Sequence, residues 1–355
     1  MKQRLLEILA CPWCGQPFEA RSYDSPSTPG EITSGVLTSG CGRRFPIVRG
    51  IPRILENATD LFPEFVRAHA ADFPDASKAP AKKDRTDAAI EKTRKSFGYQ
   101  WTFFREMVID FRENFFYYIR PLDESFFKGK LGLDMGCGFG RHIYNAAVFG
   151  AEMVGVDLSD AIESTAENVR ELGNVHLVQA DVYHLPFRPG VFDFAYSIGV
   201  LHHLPDPERG YQSLLPIVRS KGSVFIWVYS KKRAVVNAIL ETARAITTRV
   251  PPGVQKALSY AFAVADWGVI KAYQGAAAIP GIGALVRKLP LPRLRLYTHY
   301  PFQVVYADWF DRFAAPIRFY YDENDMAGWL NRAKLTNTSV SPTGLFGWRA
   351  YGERE

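Results

Sequence analysis

The 355-residue chain is expected to fold as an α/β protein: a parallel sheet covered on both faces, preceded by a small β ribbon domain and interrupted late by a helical cap insertion. Three observations predict this. Between Lys130 and Tyr229, short apolar runs alternate with helical periods and short loops, which is the pattern of β-α-β units. Before residue 57 the chain is dense in Gly, Pro, Ser and Cys and reads as short strands and turns. After residue 230 an Ala-, Val- and Leu-rich helical stretch breaks the alternation, which resumes near the C-terminus.

A hydrophobic fraction of 47% and a charged fraction of 23% are ordinary for a globular protein with a sizeable core. No run reaches the ~18 uninterrupted apolar residues of a membrane span, and the apolar stretch within Met1–Ala10 is too short for a signal peptide. The four cysteines suit a reducing cytosol better than a disulfide framework, so a cytoplasmic protein is expected.

In chain order, the strands expected are Leu131–Met135, Met153–Asp157, Val175–Ala180, Phe192–Ser197 and Val224–Tyr229. Helices Arg141–Phe149, Asp160–Leu172 and Pro207–Arg219 lie between them. A helix from Glu323 to Lys334 and strands near Asn337–Ser341 and Trp348–Tyr351 close the chain. The expected divisions are 1–56, the ribbon; 57–128, a linker and aromatic helical segment; 129–230, a cofactor-binding core; 231–321, a basic helical cap; and 322–355, the helix and strands completing the core. Within the second, Pro74–Lys95 reads as a solvated linker passing into a helix.

The first core strand runs into Gly136-Cys137-Gly138-Phe139-Gly140-Arg141. A glycine turn opening a helix lets backbone approach a ligand closely and points free N–H groups at its polar atoms. The second strand ends at Asp157, placed to accept from ribose hydroxyls. These features suit a nicotinamide dinucleotide as well as other adenosine-bearing cofactors. The dinucleotide fingerprint, however, needs glycine where Arg141 stands. A further carboxylate, Asp181, follows the third strand, where it could accept from an adenine amino group.

Taken together, Leu133–His142, Val154–Ser159, Gln179–Phe187 and Phe192–Pro207 resemble the class I S-adenosylmethionine-dependent methyltransferases, motif by motif and in order. The resemblance implies a Rossmann-like seven-stranded methyltransferase sheet, S-adenosylmethionine as cofactor, and an enzyme. It also implies residue roles. Asp134 supports the methionine end, with Gly136, Cys137, Gly138, Gly140 and Arg141 as the loop. Asp157 is the ribose acid, with Leu158 after it also among the cofactor-binding residues, Asp181 and Val182 are the adenine site, and Ser197 and Gly199 belong to the segment near the donor methyl. Methyl transfer asks mainly for alignment and, where needed, removal of a proton. His202 and His203 beyond the fourth strand are the candidates for that base. Tyr99, Gln100 and Trp101 could close over the cofactor, and Tyr117, Tyr118, Tyr229, His299 and Tyr300 could line an acceptor site.

Cys11-Pro12-Trp13-Cys14 and the later Cys41, followed by Phe45-Pro46-Ile47 and Gly50-Ile51-Pro52, resemble the zinc-ribbon domain of a small methyltransferase-activating protein, here fused to an enzyme. A complete zinc site takes four ligands, usually from two Cys-x-x-Cys knuckles. Thr38 stands where the fourth would be, so the ribbon fold is expected, and Cys11, Cys14 and Cys41 would hold zinc only with another donor.

The segment 231–297 carries Lys231, Lys232, Arg233, Arg244, Arg249, Lys256, Lys271, Arg287, Lys288, Arg293 and Arg295 against Glu241 and Asp266. It therefore outweighs the whole chain's net charge of +6. The expected role is a lid whose basic residues are solvated; contact with an anionic lipid interface is the second reading. The acceptor expected is a small or lipid-like metabolite under the cap. The alternative is an RNA base, in rRNA or tRNA, because basic surfaces attract phosphate. A non-enzymatic cofactor-binding scaffold docking a partner through the ribbon is the third reading.

Overall fold

The computed structural model describes residues 1–24, 30–74 and 85–355. Residues 75–84 of the expected linker lie outside them. One 11-stranded sheet organises the molecule. In chain order its strands are β1 (Phe18–Ser22), β2 (Gly35–Ser39), β3 (Arg44–Val48), β4 (Ile51–Ile54), β5 (Leu131–Met135), β6 (Glu152–Asp157), β7 (Val175–Ala180), β8 (Phe192–Ile198), β9 (Val218–Tyr229), β10 (Thr336–Thr343) and β11 (Gly347–Glu353). Their spatial order is β1-β2-β3-β4-β7-β6-β5-β8-β9-β11-β10. The seven strands from β7 to β10 form the expected Rossmann-like sheet, parallel from β7 to β9 and antiparallel where β11 meets β9 and β10. Every residue of β5 is buried, as a central parallel strand covered on both faces requires.

The helices are α1 (Gln3–Ile8), α2 (Ala58–Leu61), α3 (Pro63–Ala68), α4 (Arg85–Phe103), α5 (Arg112–Ile119), α6 (Arg141–Val148), α7 (Ala161–Asn168), α8 (Pro207–Gln212), α9 (Ala234–Thr247), α10 (Pro252–Ala278), α11 (Ile282–Lys288), α12 (Pro292–Tyr297), α13 (Phe302–Ala314) and α14 (Glu323–Arg332). Two local readings need correcting. A helix, α1, opens a segment read as strands and turns, burying Leu5 and Ile8. The helix expected over Pro207–Arg219 ends at Gln212. Pro216 lacks an N–H and disfavours helix at the residue before it, so the chain leaves the helix and β9 starts early, at Val218.

The ribbon strands β1–β4 extend the core sheet. Strand β4 pairs in parallel with β7, Arg53 opposite Gln179 and Ile54 opposite Ala180. At this seam the Arg53 side chain is 1% exposed. Its Nη1 donates to Gln179 Oε1 at 3.0 Å, and its Nη2 donates to Val48 O at 3.0 Å and to Glu163 Oε1 at 2.5 Å. Above the carboxyl ends of the parallel strands, α9–α13 form the cap. It has a small core of its own around Ala263, Ile270, Val305 and Tyr306. Among the described residues no helix is long and apolar enough to cross a membrane.

Candidate active site

A single cavity of about 490 Å³ runs from the glycine loop to the cap, within the usual range for small-molecule sites. Its floor is the turn after β5. Gly136 has φ +85°, and a Cβ there would lie 2.3 Å from Val200 Cγ2. Gly138 has φ +57° and faces Trp101, whose indole would lie 3.6 Å from an added Cβ. The loop therefore needs glycine both for its left-handed backbone and for the space above it. Asp157 at the end of β6 ties the site together: its Oδ2 accepts from Gly138 N–H at 2.9 Å, and its Oδ1 accepts from Ser159 N–H at 2.8 Å and Ser159 Oγ–H at 2.6 Å. Burial nevertheless raises its pKa.

Of the residues assigned to the cofactor, Gly136, Cys137, Gly138, Arg141, Asp157, Leu158, Asp181, Val182 and Gly199 line this cavity. Three others stand behind it. Asp134 is 1% exposed with Oδ2 unpartnered, and burial raises its pKa to about 8. Ser197 is fully buried and donates to Met135 O at 3.0 Å. The backbone of Gly140, φ +94°, packs against Thr165. Asp181 Oδ1 accepts from Tyr183 N–H at 3.0 Å, which shapes the expected adenine end. Arg141 lies between the rings of Trp101, Phe111 and Phe139, and Trp101 stacks on Phe139. Tyr99 instead stacks outward on Phe103, and Gln100 is fully buried away from the cavity.

The two histidines separate. His203 lines the cavity; His202 is wholly buried, with neither ring nitrogen partnered. His203 Nδ1 donates to Ile317 O at 2.7 Å, which leaves the Nε2 lone pair as an acceptor. Burial lowers its pKa to about 4, so the ring is neutral at physiological pH.

The upper part of the cavity comes from the cap and α5. Tyr117, Tyr118, Tyr229 and Tyr300 line it as anticipated, whereas His299 does not. Sequence reasoning missed Asn114, Arg233, Asp308, Asp311, Arg312 and Arg318, which also face it. Asp311 is engaged by Arg318 at 2.8 Å and by Tyr229 Oη–H at 3.1 Å. Arg312 is held less completely: Nη2 lies 3.9 Å from Asp308, and Nη1 is buried without a partner. Arg233 stacks on Phe346, and burial together with Arg312 and Arg293 lowers its pKa. A visible signal was the cluster of Asp308, Asp311 and Arg312 within the aromatic α13, with Asp308 and Arg312 four residues apart.

In the ribbon, Cys11, Cys14 and Cys41 place their sulfur atoms within 4.8 Å of one another, with Cys11 and Cys41 3.9 Å apart. Tetrahedral zinc with Zn–S bonds of about 2.3 Å holds thiolates about 3.8 Å apart, so the three donors fit zinc. The neighbouring hydroxyl is not Thr38. Strand alternation turns the next residue inward, and Ser39 Oγ lies 3.1 Å from Cys41 Sγ. Trp13, within the knuckle, stacks on Phe45 and on His184 of the Asp181 loop, so the ribbon braces the cofactor site.

Residues 133–226 match the family described as a methyltransferase domain, and residues 2–50 match that of the Trm112p-like proteins. A tRNA (carboxymethyluridine(34)-5-O)-methyltransferase of Schizosaccharomyces pombe is 30% identical over 123 residues, 32% of this chain and 51% of that protein. A tRNA U34 carboxymethyltransferase of Psychromonas ingrahamii is 40% identical over 80 residues, 21% of this chain and 24% of that protein. A ubiquinone biosynthesis O-methyltransferase of Pectobacterium carotovorum is 30% identical over 139 residues, 38% of this chain and 58% of that protein. The chain spans about half the length, or less, of these curated relatives.

Proposed function

We propose that this chain, a methyltransferase domain behind a Trm112p-like domain, is an S-adenosylmethionine-dependent methyltransferase acting on an acceptor held between the glycine loop and the helical cap. The observation that carries this reading is the single cavity joining Gly136, Asp157 and Asp181 to Tyr118, Tyr229, Tyr300 and Arg312. The bound cofactor would supply an electrophilic methyl group. The loop and Asp157 would fix its ribose, and Asp181 its adenine. His203 Nε2 is a group able to accept a hydrogen bond or proton from the acceptor, while its Nδ1 bond to Ile317 O fixes the ring.

For the acceptor, the geometry favours a small or lipid-like molecule with an anionic or oxygen-rich head. Arg312 Nη1 is buried and unpartnered, and Arg233 beside it adds positive charge. An acceptor oxygen would satisfy both. The second reading is a tRNA nucleoside. The relatives named for tRNA methylation favour it more directly than they favour a metabolite, although ubiquinone-biosynthesis enzymes stand among the relatives too. The family match ends at residue 226, before the cap that lines the acceptor end.

The test follows a labelled methyl group from S-adenosylmethionine into the lipid, small-metabolite and RNA fractions of a cell extract. Label in the lipid or metabolite fraction supports the first acceptor, label in RNA supports the second, and no transfer overturns the enzymatic reading. Arg312→Met should lower acceptor turnover roughly 10- to 150-fold, the loss of a charge-assisted hydrogen bond, with cofactor affinity unchanged. Equal turnover in wild type and variant would remove Arg312 from the acceptor site. For the ribbon, Cys11, Cys14 and Cys41 would hold zinc with a fourth ligand from solvent. Metal analysis should find about one zinc per chain in the wild type and a marked fall in Cys41→Ser. A metal-free, fully folded wild type would show that packing alone holds the ribbon.

A further inference from the structure

One cap helix, α9, is inside out, and the first turns of α10 share its character. In α9 the buried positions are polar. Asn237 Nδ2 donates to Ser230 O at 3.1 Å, Arg244 Nη2 donates to Tyr320 Oη at 2.9 Å, and Thr247 Oγ donates to Phe313 O at 2.8 Å. Its outward stripe is apolar: Val235, Ile239 and Ile246, spaced by four and seven residues, are 74%, 64% and 66% exposed. Helix α10 begins the same way, although farther along it buries Ala263, Ile270 and Tyr273, the first two in the cap's own core. Gln255 and Ser259 face inward and are hydrogen-bonded, while Leu258, Phe262 and Val269 stand exposed. In α11, Leu285 is 67% exposed. Among the described residues, most of the large apolar side chains left exposed belong to the cap. Exposed apolar side chains scattered singly are ordinary, but their concentration on one part of a fold marks an interaction surface.

The charge of the same surface says what covers it. The cap's acids are engaged internally, Glu241 with Arg244, Asp266 with Arg293, Asp308 with Tyr297 and Asp311 with Arg318. Among the described residues, the exposed Lys232, Arg249, Lys271, Arg287, Lys288 and Arg295 have no carboxylate in ion-pair range. A second copy docking by this face would set cation against cation. RNA would satisfy the cations and leave the apolar stripes in water.

We propose that the cap docks on an anionic bilayer surface, its apolar stripes entering the interface and its exposed lysines and arginines meeting the headgroups. Both features of the surface are then satisfied at once. Since no described helix is built to span, the cap lies on the membrane. Leu296 is both exposed and part of the cavity wall, which puts the docked face beside the acceptor site. Delivery of an acceptor from the bilayer rests on the methyltransferase reading; the docking itself does not.

The test is flotation of the full chain, without cofactor, on phosphatidylcholine vesicles with and without phosphatidylglycerol. Binding should require the anionic lipid. The double variant Val235→Glu/Leu285→Glu should weaken it by about tenfold or more, with melting temperature and S-adenosylmethionine affinity unchanged. Lys288→Glu/Arg295→Glu should weaken it in a salt-dependent way. Absence of partition onto either vesicle overturns the proposal, as does concentration-dependent self-association or RNA binding that the same variants abolish while vesicles are ignored. Vesicle binding by a chain that transfers no methyl group would leave the docking standing and remove only the catalytic reading.

Discussion

Replacing Asp157 by Ala weakens S-adenosylmethionine binding by about 1–3 kcal/mol, roughly 5- to 150-fold. The carboxylate has two tasks that an alanine leaves undone. It accepts from Gly138 N–H and Ser159, fixing the loop and the strand end, and under the proposed reading its remaining lone pairs would meet the ribose hydroxyls. Calorimetric titration of a variant with an unchanged melting temperature checks the result; unaltered affinity would displace the ribose from this site. A pH dependence accompanies it. Because burial raises the Asp157 pKa, the carboxylate protonates at a higher pH than an exposed one would. Cofactor affinity should therefore fall as pH drops through that raised pKa and hold constant above it.

Glu163→Ala is expected to destabilise the fold by about 2–4 kcal/mol. The variant leaves the Arg53 guanidinium, 1% exposed, with only Gln179 and Val48 as neutral partners. Since Arg53 sits in β4, opposite β7, the loss falls on the junction between ribbon and core. Chemical denaturation followed by intrinsic fluorescence measures it. A midpoint within error of wild type would show that the two neutral acceptors suffice. The double variant Arg53→Met/Glu163→Ala should recover part of the loss, because it removes the unpaired charge as well.

The parallel core was legible because its strands are buried on both faces and appear as apolar runs, each followed by a functional turn. Leu131–Met135 and Val175–Ala180 begin and end where the residues indicate. The cofactor end was legible for a related reason. Backbone approach demands glycine, and hydroxyl recognition demands a carboxylate at a strand end, so Gly136, Asp157 and Asp181 announce themselves. The acceptor end was not. Arg312 and Asp308 reach the cavity only because α13 packs across the strand ends. Likewise, the choice between His202 and His203 depends on which way a short turn rotates, with Ile317 fixing the ring that faces the cavity. In the cap, the residues show that Val235, Ile239 and Ile246 form a stripe. They cannot show that the stripe faces outward, because amphipathic period defines a face without saying which side is inside. Ser39 in place of Thr38 beside Cys41 is the same lesson in a strand: a register of one residue decides which side chain meets the cluster.

The measurement closest to the central claim is calorimetric titration of the purified wild-type chain with S-adenosylmethionine and, separately, with a nicotinamide dinucleotide. The account predicts saturable one-to-one binding of S-adenosylmethionine that Asp157→Ala weakens, and no binding of the dinucleotide, whose fingerprint would need glycine where Arg141 stands. Tight dinucleotide binding, or failure of the folded chain to bind S-adenosylmethionine, would contradict it.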